Sequence, residues 1–127
     1  MPWMNIAAVG VGAAAGAWTR WGLSLLLNSI LPNLPLGTLA ANLVGGLFIG
    51  IVMGLAEPLN LSVTLRLLIV TGFLGGLTTF STFSAESAGS LMRGEYGWAA
   101  LHLLGHLVGS LVLTGVGLWI GRAVVAP

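Results

Sequence analysis

The stretch "GGLTTFSTFS", Gly75 to Ser84, decides how this chain is read. Seven of its ten residues are glycine, threonine or serine, with Phe80 and Phe83 among them, yet apolar sequence precedes it. Adjacent glycines weaken a helix, and the hydroxyls that follow can bond backbone groups freed by an interruption. Inside a bilayer, irregular backbone is tolerated only where protein buries it or where it lines a cavity. The stretch therefore predicts a helix broken near residues 75–79 and marks the break as a candidate site. Unwound carbonyls there suit a small cation such as Na⁺, while the N-terminus of the second half-helix favours an anion. Phe80 and Phe83, three residues apart, share a helix face. Their ring edges carry the positive part of the aromatic quadrupole and can hold an anion without a fixed charge; plain packing against other helices is the alternative.

The surrounding composition places this stretch in a membrane protein. The 127 residues are 57% hydrophobic and only 6% charged, with a mean hydropathy of +1.04, whereas about a quarter of an average soluble domain is charged. The basic residues are Arg20, Arg66, Arg93 and Arg122, and they do not cluster, so no nucleic-acid footprint exists. The absence of cysteine removes disulfides, thiolate nucleophiles and zinc–thiolate sites. A crossing needs about 20 apolar residues, and prolines, glycines and charges divide the chain into four such pieces. They run from about Met4 to Asn28, Leu36 to Ala56, Ser62 to Met92, and Gly97 to Arg122. The first lacks the basic flank of a signal peptide and is read as a span. Together they predict an all-α membrane protein, a single domain over residues 1–127 with its third helix broken.

Four spans put Arg66 and Arg122 on one side and Arg20 and Arg93 on the other. Orientation follows the arginine and lysine bias of short loops, so this balance predicts insertion in both orientations. Two oppositely inserted copies supply the two-fold axis that larger transporters build from inverted repeats, which makes an antiparallel homodimer the economical expectation. The 20 glycines fit close helix packing in lipid through small-xxx-small faces, at Gly12/Gly16, Gly46/Gly50, Gly105/Gly109 and Gly117/Gly121.

Polar residues within spans are costly and tend to mark pathways. Asn42 either donates to an anion or bonds a neighbouring helix. His102, His106, Ser110 and Thr114 recur every fourth residue and form one stripe. Two histidines at this spacing also suit a metal, but no carboxylate or third ligand lies on that helix, which argues against zinc. Arg20 sits inside the first span, where an arginine costs roughly 2.5–3.5 kcal/mol; structural pairing is its expected role. Glu86, near the end of the third span, is expected to be a vestibule residue or Arg20's partner.

The run "GFLGGLTTFSTF" closely resembles the signature of the Fluc (CrcB) fluoride channels, small bacterial membrane proteins that export fluoride. "GAAAGAWTRW" around Arg20 and "GTLAANLVGGLFIG" around Asn42 resemble that family's first and second helices. The resemblance spans nearly the whole chain. It implies a passive fluoride channel in the bacterial inner (plasma) membrane, built as a dual-topology antiparallel homodimer with two pores. It further implies a structural sodium ion held by the backbone carbonyls of Gly75 and Thr78. Fluoride would pass Phe80 and Phe83, with Asn42, Ser81, Thr82, His106 and Ser110 along the path. One departure is that His102 and His106 stand where the resemblance implies a tyrosine and a serine.

A small proton-coupled multidrug exporter also uses four helices and dual topology, but it needs an acid in the first helix, and this first span has none. A non-transporting assembly subunit would explain the glycines and leave the polar track unexplained. No nucleophile with its base can be assembled from these spans, so an enzyme is not expected.

Overall fold

The computed structural model describes residues 1–127 as helices joined by short loops, with no strand. Helix α1 is Pro2–Leu27, and α2 is Leu36–Ala56. Helix α3 covers residues 63–77, α4 is Phe80–Met92, and α5 is Tyr96–Val125. Three stretches are long and apolar enough to cross a membrane: α2, the α3–α4 pair taken as one piece from Val63 to Met92, and α5. Helix α1 is long enough, but its glycines, Thr19 and Arg20 dilute its hydropathy.

Local chemistry sets the helix ends. Pro35 precedes α2 and offers no side-chain cap, so Asn28 from the end of α1 does the capping. Its Oδ1 accepts from the amides of Gly37 at 2.8 Å and Thr38 at 3.2 Å. Ser62 caps α3 by accepting from the Leu65 amide. The loop from α4 to α5 turns at Gly94, whose φ of 73° is accessible to glycine without a Cβ penalty. Wider turns with i→i+5 bonding occupy Leu67–Leu74 in α3 and Leu104–Val108 in α5, and such turns are frequent at functional sites.

Two glycine-mediated pairings build the bundle. Gly50 and Gly54 of α2 meet the backbone of α5, and Gly117 and Gly121 of α5 meet the backbone of α2. In the same way Gly12 and Gly16 of α1 lie against α3, with Gly72 and Gly76 answering from the other side. Gly105 and Gly109 differ from expectation, because they face the side chains of Leu39 and Leu43 rather than a backbone. The wider turn at residues 104–108 contains Gly105 and ends just before Gly109, so the pair does not form a regular small-residue ridge.

The interior is polar for so apolar a chain. The largest side chains with under 2% exposure are Leu74, His102, Thr38 and Ser90. Tryptophans 3, 18, 21 and 119 point outward, as expected of a surface that meets lipid or another apolar face.

The glycine pair Gly75–Gly76 is helical, and the interruption begins two residues later. Thr78 (φ −84°, ψ 155°) and Thr79 (φ −151°, ψ 122°) are extended. The reason is packing: Gly76 lets the helix close onto Ala13 of α1, while Thr79 finds in the Asn42 side chain a partner that replaces its helical bond.

Candidate functional site

The interruption is held by a few specific hydrogen bonds. The Thr79 amide donates to Asn42 Oδ1 at 2.7 Å, and Asn42 Nδ2 donates back to the Thr79 carbonyl at 2.9 Å. Thr79 Oγ1 then accepts from the Thr82 amide at 3.1 Å, which starts α4. In a continuous helix the Thr79 amide would bond the Gly75 carbonyl and the Thr82 amide would bond the Thr78 carbonyl. Both donors are engaged elsewhere, so these two carbonyls are freed. The Gly76 carbonyl is taken by Arg20, whose Nε donates to it at 3.1 Å. Arg20 thus caps the end of α3 and pairs with no glutamate.

Asn42 also fixes the state of a histidine. Its Nδ2 lies 2.8 Å from His106 Nδ1. Reversing the amide would set oxygen against the Thr79 carbonyl and NH₂ against the Thr79 amide, so only one orientation satisfies the network. Both amide hydrogens are then committed, and Asn42 bonds its neighbours rather than an anion. His106 Nδ1 accepts, and in the neutral ring the proton sits on Nε2. That Nε2 is buried and without a partner.

A cavity of about 320 Å³ opens on these groups, lined by Asn42, Gly45, Gly46, Ile49, Thr78, Thr79, Phe80, Phe83, His106, Leu107 and Ser110. Six of the candidates drawn from sequence are therefore brought together: Asn42, Thr78, Phe80, Phe83, His106 and Ser110. The two phenylalanines meet edge to face with centroids 5.4 Å apart, but Phe83 is buried at 3% exposure and Phe80 is 71% exposed. Phe83 stacks on His106 at 4.5 Å, and the His106 ring lies nearly parallel to His102 at 6.1 Å.

Other candidates lie outside this lining. Ser81 is exposed, with its hydroxyl 3.4 Å from Thr79 Oγ1. Thr82 is half-buried at the start of α4, and Gly75 lies on an open face. Glu86 borders a second cavity of about 160 Å³, with His102 and Arg93 also in its lining. Its Oε2 accepts from Thr38 Oγ1 at 2.8 Å, while its Oε1 has no partner. Sequence reasoning missed Thr38 and Thr79. The first was signalled by its position one turn before Asn42, the second by its capping chemistry before an apolar helix. Glu86 of α4 brings to the two histidines of α5 the carboxylate that their own helix lacks.

The family described as "CrcB-like protein, Camphor Resistance (CrcB)" matches residues 7–118. The chain belongs to the CrcB family. It is 60% identical to the Fluoride-specific ion channel FluC of Cupriavidus taiwanensis over 120 residues, covering 94% of this chain and 95% of that protein. It is 59% identical to the protein of the same name from Cupriavidus metallidurans, over 94% and 96% of the two chains. Against that of Burkholderia pseudomallei the identity is 52% over 97% of each. These CrcB-family relatives are named as ion channels, not enzymes.

The structural sodium ion expected from the sequence would need oxygen donors released from helical bonding. The freed carbonyls of Gly75 and Thr78 are hard, neutral oxygen donors of the kind Na⁺ takes in unwound transporter helices. The donor set fits.

Proposed function

We propose that this chain is a passive, fluoride-selective channel of the bacterial inner membrane. It works as an antiparallel homodimer with two pores and a structural sodium ion. Support comes from relatives named as fluoride-specific channels at 52–60% identity over nearly the whole chain. The observation that carries the reading is the cavity that joins Phe80 and Phe83 to His106 and Ser110.

Fluoride is small and strongly hydrated, so a selective path must replace its lost water with several donors. His106 Nε2–H is one, held as a donor because Asn42 commits Nδ1. The Ser110 hydroxyl and the phenylalanine ring edges are others, with Ser81 and Thr82 at the start of α4. None is a fixed charge that would trap the ion. Asn42 lines the path and acts as a positioning group, since its own hydrogens are spent. The Gly75 and Thr78 carbonyls would hold the sodium ion, which supplies positive charge beside the interruption and joins the two copies. Arg20 acts structurally at the end of α3, and Glu86 belongs to the vestibule.

The test is fluoride efflux from liposomes containing the purified protein, read with a fluoride electrode beside chloride efflux. Fast fluoride loss, little chloride loss, and slowed efflux in Phe80→Ile and Phe83→Ile are expected. No fluoride movement from correctly folded dimers would overturn the reading.

A further inference from the structure

Three polar side chains from two helices converge in the interior. Glu86, His102 and His106 each bring one potential ligand atom within 4.8 Å of the others, and Glu86 Oε1, His102 Nδ1 and His106 Nε2 are buried without a hydrogen-bond partner. Both histidines are almost fully buried, at 1% and 3% exposure. Leaving such atoms unpaired is costly, so the place they surround calls for an occupant.

The groups behind these atoms are arranged as supports for metal ligands. His102 Nε2 faces the Asn33 carbonyl at 3.3 Å; as its donor, it leaves Nδ1 with a free lone pair. Glu86 Oε2 is held by Thr38, which leaves Oε1 available. Outer partners of this kind fix tautomer and orientation in metal sites. Access is provided by the 160 Å³ cavity that Glu86 and His102 line. Arg93 also lines it, but its charge is paired with Glu95 at 3.3 Å.

We propose that Glu86, His102 and His106 form a Zn²⁺ site of two imidazoles and one carboxylate, with the fourth position open to water. Zn²⁺ takes such ligands at about 2.0–2.2 Å in tetrahedral geometry, so the three atoms must draw together by roughly 1 Å from their present spread. His106 has a further requirement. Its Nε2 can ligate only when its proton moves to Nδ1, and Nδ1 then no longer accepts from Asn42. Metal ligation and the Asn42–His106 bond are mutually exclusive. Zn²⁺ therefore removes the His106 Nε2–H donor from the ion path and loosens the Asn42 support of Thr79. The binding claim rests on the cluster alone; a block of ion flow rests on the channel reading above.

The experiment titrates tag-free, full-length protein in detergent with Co²⁺, whose strong visible absorption reports four-coordinate binding, and then displaces it with Zn²⁺. One site per chain is expected. Glu86→Gln and His102→Gln should each weaken it about tenfold or more, the scale on which ligand supports act. Failure of the wild-type protein to give the four-coordinate signal overturns the proposal, as does binding unaffected by Glu86→Gln and His102→Gln. In liposomes, Zn²⁺ should slow wild-type fluoride efflux and leave His102→Gln efflux unchanged. If metal-free wild type conducts no fluoride, the channel reading fails while the Co²⁺ titration still decides the site.

Discussion

Asn42 and Thr79 exchange two hydrogen bonds, amide to Oδ1 at 2.7 Å and Nδ2 to carbonyl at 2.9 Å. The side-chain amide of α2 thus stands in for the backbone partners that Thr79 gives up where α3 ends. This single pairing keeps the interruption open, directs the Thr79 amide away from Gly75, and leaves the second amide hydrogen for His106.

Asn42→Leu removes both bonds to Thr79 and the one to His106 Nδ1. An unpaired buried donor or acceptor costs about 1–3 kcal/mol, and the Thr79 amide and carbonyl are exposed to that cost. The variant should lose about 2–4 kcal/mol of stability, read as the unfolding free energy in mixed micelles. A loss below about 1 kcal/mol would show that water replaces the asparagine at Thr79.

Phe80 and Phe83 separate stability from passage. Phe80 is mostly exposed and Phe83 is buried against His106. Phe80→Ile should slow fluoride efflux while stability stays within about 0.5 kcal/mol of wild type. Phe83→Ile should slow efflux and also cost about 1–2 kcal/mol, through lost stacking and imperfect packing. Equal destabilisation by both would contradict the difference in burial.

Much of this arrangement was legible in the sequence, for reasons that differ by residue. Hydropathy and proline punctuation give helices whose positions depend only on local composition, so α2 could be read from Leu36 to Ala56. The run from Gly75 to Ser84 announced an interruption, because hydroxyls and glycines inside an apolar segment have few other uses. The site of the interruption was less legible: it depends on Asn42, 37 residues before Thr79, and no local propensity encodes that pairing. Glu86 meeting His102 and His106 was hidden for the same reason, since the cluster forms only when α4 packs on α5. Glycine faces were half visible. Spacing found Gly12 and Gly16, but the answering Gly72 and Gly76 required knowing which helices touch.

The α2–α5 contact offers a test of the glycine argument. A Cβ on Gly117 would run into the Leu47 carbonyl and the Ile51 amide, whereas one on Gly22 meets nothing within 4 Å. Gly117→Ala should destabilise by about 1–3 kcal/mol, the usual range for overpacking. Gly22→Ala should be neutral or gain up to about 1 kcal/mol from helix propensity. Thermal melts of the two variants in the same detergent check the contrast, and similar shifts would mean that α2 and α5 are not held at backbone contact.

With the proposed sodium ion on the two carbonyls released by the interruption, stability is expected to depend on Na⁺. The Thr79 and Thr82 amides that would bond Gly75 and Thr78 are committed to Asn42 and Thr79, so a bound cation would replace backbone donors. A ligand that binds only the folded form stabilises by about 2.7 kcal/mol at one hundred times its dissociation constant. Replacing Na⁺ with N-methylglucamine at constant ionic strength should therefore lower the melting temperature and favour dissociation of the dimer, and restoring Na⁺ should reverse both. Asn42→Leu, which removes the bonds that hold the interruption open, should blunt the response. Identical melting curves in the two salts would show that these carbonyls hold no cation.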